Sequence, residues 1–452
     1  MHIFISLISL ITVYGSCHKQ YTYHTTTRHY CISADHINWN YAPMSFNSTM
    51  DLTGMYEDEA EAILTASDKN IGKVFKKAVY RQYQYNKKKN RCEWSIPLTH
   101  SSVNGVTGPT IRAVVGDTVK VHFYNNCSSQ YYNIRPHGLF YTQSFDDKIG
   151  YGEETTYTWL ALSDSGPDGQ SFSSRVWMYH SDSSLGRDSH TGLLGSIVVV
   201  RANAITSNSQ RSAARPCDVD HEHVLMLSEF DESQSWLWIE SLKALEGDDD
   251  NLYQDEDLIS NSYRKTINGY MFGNLGPSMG LTFPAQSRVR WHILSASDDS
   301  YVQTERVEWT NNPVTDSTGH YSDYVAFSSP GYATVDMIPE SIGIWPLVSG
   351  HQSHRMAGMS ALFEVSEPED GANYSDNGEE GALGSGTVYA VFLSIIVISV
   401  VAVLVMVLFA FKTTKPNMVS DRDPILPDSS HHVAPPRSDV QQKSSTSKTV
   451  EV

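Results

Sequence analysis

The sequence predicts an all-β protein of two successive β units, followed by a single transmembrane helix and a disordered tail. Three observations carry this reading. Long helical periodicity is scarce between the two ends of the chain. Short alternating or β-branched runs recur instead, separated by Gly, Pro, Asn and Asp clusters at the spacing of a β sandwich or barrel. The pattern then restarts after a polar stretch, ANAITSNSQRSAARP at 202–216, which places a domain boundary there. At 452 residues the chain has room for two ordinary domains plus appendages.

In order along the chain, residues 1–17 read as a secretory signal peptide. Their apolar run IFISLISLITVY is too short to span a bilayer and is followed by the small residues Gly15 and Ser16. The first β unit, 29–202, carries runs at 73–85, 110–124, 155–162, 176–180 and 195–201. The second, 217–366, carries runs at 223–230, 289–295 and 332–338. Residues 367–386 form an acidic, Gly- and Pro-containing stalk, too polar to build a core. Residues 388–411 are free of charge and mostly apolar. At 1.5 Å per residue they reach roughly 36 Å, enough to cross the hydrocarbon core with some tilt. Lys412 and Lys415 follow directly and place the Ser-, Pro- and charge-rich tail 412–452 in the cytoplasm. The expected topology is a single-pass type I protein of the plasma membrane, with both β units outside the cell.

The formal charge of -18 excludes nucleic acid as a partner class. It is concentrated at 246–257 and 364–380, and such runs read first as solvated loops or stalks. Three sequons, at Asn47, Asn126 and Asn373, lie on the side that this topology exposes to glycosylation. Of five cysteines, Cys17 sits at the signal cleavage point. Cys31, Cys92, Cys127 and Cys217 are expected to form two disulfides, with three connectivities open.

Several segments resemble one family. GPTIRAVVGDTVKVHFYNN (108–126), IRPHGLFY (134–141), WMYHSDSSLGRDSHTGLLGSIVV (177–199), INWNYAP (37–43) and IGKVFKKAVYRQY (71–83) are similar to a first cupredoxin domain of the ceruloplasmin and hephaestin type. LMLSEFDESQSW (225–236), INGYMFGNL (267–275) and the loop WPLVSGHQSHRMAGM (345–359) are similar to the paired domain. The resemblance implies two tandem Greek-key cupredoxin barrels. The A domains of coagulation factors five and eight share this fold, so the fold alone does not set the function.

The family is one of multicopper ferroxidases, and the resemblance implies copper ligands position by position. A blue-copper site takes a Cys thiolate, two His imidazoles and a weak axial Met. His354 and Met359 stand at the second His and the Met, but the Cys position holds Ser349 and the first His position holds Gln303. The trinuclear oxygen-reducing cluster uses His-x-His pairs. The first pair reads Arg135-Pro-His137 and the second reads His180-Ser-Asp182, so each keeps one imidazole. Around the missing thiolate the cluster positions are Val348, Gly350 and Met356. The residual copper candidates are therefore His137, His180, Asp182, His354 and Met359. Arg135 puts a guanidinium where a cation would sit, and Asp182 is expected to pair with it rather than bind metal. Two surface pairs, His221 with His223 and His351 with His354, are weak secondary sites. The family's disulfide in this domain would fall at Ser174 and about Val200, so both of its cysteines are missing together.

Asp146 and Asp147 resemble a structural calcium run in the family, and adjacent carboxylates suit a hard cation. In the tail, Val450-Glu-Val452 resembles a PDZ ligand, and DRDPIL at 421–426 an acidic dileucine sorting signal read by an adaptor. The functional expectation is a surface glycoprotein that binds an extracellular protein partner without oxidase activity. The competing expectations are a ferroxidase or copper carrier with a residual site, and a calcium-dependent adhesion protein.

Overall fold

The computed structural model describes residues 24–44, 57–128, 130–142, 147–167, 172–184, 186–246, 254–296 and 303–368. The signal peptide, most of the stalk, the span 388–411 and the tail lie outside these residues, as do Asn47, Asp146, Asn373, Val450 and Val452. Among the described residues no helix is long and apolar enough to cross a membrane.

Among the described residues the first barrel has ten strands. These are β1 (Thr27–Asn40), β2 (Val74–Asn86), β3 (Arg91–Pro97), β4 (Ile111–Val114), β5 (Thr118–Asn125), β6 (Arg135–Pro136), β7 (Phe140–Tyr141), β8 (Glu154–Leu160), β9 (Ser174–His180) and β10 (Leu194–Val200). They form a six-stranded sheet, β3-β2-β1-β5-β8-β7, facing a four-stranded sheet, β4-β10-β9-β6. Strand β5, TVKVHFYN, alternates strictly between buried and half-buried positions, as a strand with one face on the core should. Strand β10, LGSIVVV, is buried throughout.

The run expected at 110–124 divides into β4 and β5, which enter different sheets. Gly116, at φ 97°, makes the turn that permits this. Buried Asp117 then fixes the corner, accepting from the backbone N–H of Val114 and Thr26 and from Arg28 Nε at 2.6 Å.

The second barrel contains β11 (His221–Asp231), β12 (Tyr263–Ile267), β13 (Thr282–Pro284), β14 (Val289–Ala296), β15 (Gln303–Trp309), β16 (Val314–Thr315), β17 (Tyr321–Ser322), β18 (Tyr324–Ser329), β19 (Gly331–Met337), β20 (Gly343–Ser349) and β21 (Ser360–Ser366). Its sheets run β12-β11-β14-β19-β16-β17 and β13-β21-β20-β15-β18. The parallel pair β1·β5 of the first barrel recurs as the parallel pair β11·β14 of the second. These are two cupredoxin-like barrels in tandem.

Each barrel has its own core, around Phe123 and Trp159 in the first and Trp291, Trp309 and Phe363 in the second. A third cluster joins them, packing Tyr41 and Phe75 with Phe230, Met271 and Phe272. Lys77 and Glu232, both wholly buried, meet across this seam at 2.6 Å. A second polar seam places Glu222 against Arg112, His292 and Ser174. The barrels are thus bound into one packed body.

Within the polar stretch 202–216, Asn208–Ala213 is a helix capped by Ser207, and Ala204, Ile205 and Ala214 are buried. Its short polar residues satisfy the helix start while small apolar ones fill the seam. One expectation needs correction: Cys31, Cys92, Cys127 and Cys217 do not make two disulfides among themselves. Cys31 bonds Cys92 and Cys217 is also disulfide-bonded, but Cys127 is a free thiol, buried and donating to the Ala34 carbonyl at 3.3 Å. Ser174 and Val200 face each other across β9 and β10, in the pairing expected of the family's lost cystine.

Candidate metal centres

At the first barrel's edge, β6 pairs with the end of β9, which sets Arg135 opposite His180. Gly138, at φ 70°, turns the chain after His137, and any Cβ there would overlap the Trp177 indole. His137 and His180 meet through their Nε2 atoms at 2.9 Å. His180 Nδ1 faces the Ser181 carbonyl at 2.9 Å, so that nitrogen carries the hydrogen. In a neutral ring its Nε2 then accepts, and His137 Nε2 donates. Burial first, then the charges of His180 and Arg135, push His137 down to about 4, so it is neutral at pH 7.

Asp182 is committed on both oxygens. Oδ1 accepts from Asn133 Nδ2 at 2.8 Å, and Oδ2 holds the Arg135 guanidinium, which also donates to Tyr141 through Nε. The ion pair expected from the sequence is present. As arranged, the two imidazoles are engaged with each other and the carboxylate with Arg135, so a copper ion would have to displace the hydrogen between the rings and would find Asp182 already neutralised. The calcium candidate Asp147 accepts from Asn133 through its backbone carbonyl. The sequon residue Asn126 is exposed, with Nδ2 donating to Asp35 at 2.9 Å.

In the second barrel, β20 ends at Ser349 and leads into the short helix Gln352–Met356. Backbone bonds from Ser349 to Met359 and from Met359 to His354 fold the loop on itself, with Gly358 at φ 96° making the turn. Ser349, His354 and Met359 are therefore gathered and buried, as the resemblance implies. The serine hydroxyl accepts from His351 N–H at 3.2 Å and, unlike a thiolate, stays protonated at neutral pH.

The residue that reaches His354 from β15 is Glu305, two positions on from Gln303. Glu305 alternates with Val307 and Trp309 on the buried face of the strand, and that alternation was the available sequence signal. Its Oε2 lies 3.8 Å from His354 Nδ1. On the other side His354 Nε2 lies 3.4 Å from Glu229 Oε1, contributed by β11. Glu229 and Glu305 were both missed by sequence reasoning. Glu229 lies in the segment 225–236, to which the resemblance assigns no ligand, and only folding brings β11, β15 and the loop together. This donor set does not fit blue copper, which requires the soft thiolate.

The secondary histidine pairs resolve differently. His221 and His223 share a strand face against the Phe283 ring, an apolar setting. His351 and His354 lie with ring centroids 5.0 Å apart.

No family model matches the sequence. Hephaestin of Homo sapiens is 28% identical over 355 residues, covering 75% of this chain and 29% of the relative. Ceruloplasmin of Homo sapiens is 29% identical over 352 residues, covering 77% of this chain and 32% of the relative. The chain thus spans less than a third of the length of these relatives. Among solved structures, the copper nitrite reductase of Nitrosomonas europaea superposes with a TM-score of 0.47 at 18% identity, covering 75% of this chain and 94% of that one. The sequence matches agree with the two tandem barrels described above, and over three quarters of its length the chain is similar to hephaestin and ceruloplasmin.

Proposed function

We propose that this chain is a membrane-anchored cell-surface glycoprotein that acts by binding an extracellular partner, and that it does not oxidise iron. The observation that carries the reading is the Arg135–Asp182 ion pair, which occupies the first barrel's cluster position and neutralises the carboxylate there. Ser349 in place of a thiolate supports it from the second barrel. An oxidase must pass electrons from a blue copper to an oxygen-reducing cluster, and the donor sets for both are broken here.

The test is oxidation of ferrous iron, followed by oxygen uptake, on the full chain purified in detergent from copper-replete cells. The expected result is no blue absorbance and no turnover above the rate without protein. Ser349→Cys should leave turnover at that background, because one restored ligand does not rebuild a cluster. Copper-dependent turnover by the unmodified chain would overturn the reading.

A second reading, a ferroxidase or copper carrier, is favoured by the His137 and His180 nitrogens facing each other at 2.9 Å with His137 neutral. It predicts one copper per chain, lost in His137→Ala.

A further inference from the structure

Glu305 is 2% exposed, and its Oε2 accepts no hydrogen bond among the described residues. A buried carboxylate oxygen left in this state costs about 1–3 kcal/mol or more, so it calls for a partner. Its neighbours are arranged as a donor set. One ligand atom each from Glu229, Glu305 and His354 lies within 4.8 Å of the other two. Glu229 has its oxygens divided: Oε2 takes the Lys265 ammonium at 2.5 Å, and Oε1 is the one turned toward His354.

Hydrogen bonding within the trio does not account for the arrangement. The contacts of 3.4 and 3.8 Å exceed the usual 2.7–3.2 Å range, and they run to the two different ring nitrogens of His354. A single ion would take one of those nitrogens and one oxygen from each carboxylate, a set whose atoms lie within 4.8 Å of one another. Two carboxylates and one imidazole form a hard-to-borderline set, suited to zinc or ferrous ions rather than to blue copper.

We propose that Glu229, Glu305 and His354 form a binding site for one divalent cation of the zinc class, at the place where the family's second domain would hold blue copper. This goes beyond the non-oxidase reading and does not depend on it. Loss of zinc binding would leave that reading intact, and copper turnover through His137 and His180 would leave this site intact.

The experiment is calorimetric titration of Zn²⁺ into the full chain in detergent after stripping with a chelator. One saturable site per chain is expected. Glu305→Gln, which keeps the shape and removes the charge, should weaken it at least about tenfold. Lys265→Met should tighten it, because the ammonium competes for Glu229. A fold merely damaged by substitution cannot give tightening, so the two variants together separate ligation from instability. Co²⁺ in place of Zn²⁺ should give visible absorption in the unmodified chain that is lost in Glu305→Gln. No saturable zinc binding, or equal affinity in the unmodified chain and Glu305→Gln, would overturn the proposal.

Discussion

Asp182, at the edge of the first barrel, has both oxygens occupied, whereas Glu305, deeper in the second, has an oxygen that accepts no hydrogen bond. Both acids lie beside a histidine at a place where the family resemblance implies copper. In the first barrel a cation came with the chain as Arg135, so the position is closed by a covalently tethered charge. In the second, the nearby ammonium of Lys265 is engaged by Glu229 and leaves Glu305 to His354 and whatever ion joins them. A single fold has thus arrived at two electrostatic outcomes, set by whether a neighbouring strand supplies the counter-charge.

The comparison breaks most readily at the first position. Asp182→Ala strands the half-exposed Arg135 guanidinium and also removes the acceptor of Asn133. Chemical denaturation should show a loss of about 1–3 kcal/mol, discounted for solvent around Arg135. If the double change of Arg135 and Asp182 to Leu is as unstable as Asp182→Ala alone, the pair is not what closes the site. At the second position the sign should reverse. In chelator-treated protein at pH 7, Glu305→Gln should raise stability by about 1 kcal/mol, because it removes an unsatisfied buried charge. A destabilised variant would mean that the carboxylate is already satisfied.

Acid should sharpen the picture further. His137 and His100 in the first barrel and His223 in the second are each held near 4 from an ordinary 6.5, with burial the largest cause. A depressed folded value means that the unfolded chain binds the extra proton first. Their stabilisation is therefore complete above about 6.5 and lost as the pH falls toward 4. A melting temperature flat across that window would contradict this. Substituting His223 by Gln should flatten part of the slope.

Much of the fold was legible because its signals are local. The alternation in 118–125 and the apolar run 194–200 state their strands directly, and the restart after residue 216 marks the second barrel. Strand β3 was missed because RCEWSIP carries charges that mask its period, whereas QTERVEW of β15 was legible only through the family resemblance. In the segment 202–216 the polar composition masks buried Ala204, Ile205 and Ala214. At the sites, the Arg135–Asp182 pair was legible because both partners replace ligands in recognisable motifs. Cys127 was expected to be bonded because parity suggested it, and counting cysteines cannot reveal which thiol points into an apolar core.

The sequence by itself determined the tandem β units, the family resemblance, and the absence of a thiolate at Ser349, since each depends on residue identity and near-neighbour spacing. The tertiary structure alone decided that Glu229 and Glu305 face His354 from opposite sides, and that the His137 and His180 imidazoles meet at 2.9 Å. It also decided that Lys77 and Glu232 bind the barrels together. Those relations link residues tens to more than a hundred positions apart, and their distances are set by how twisted sheets pack rather than by any pattern along the chain.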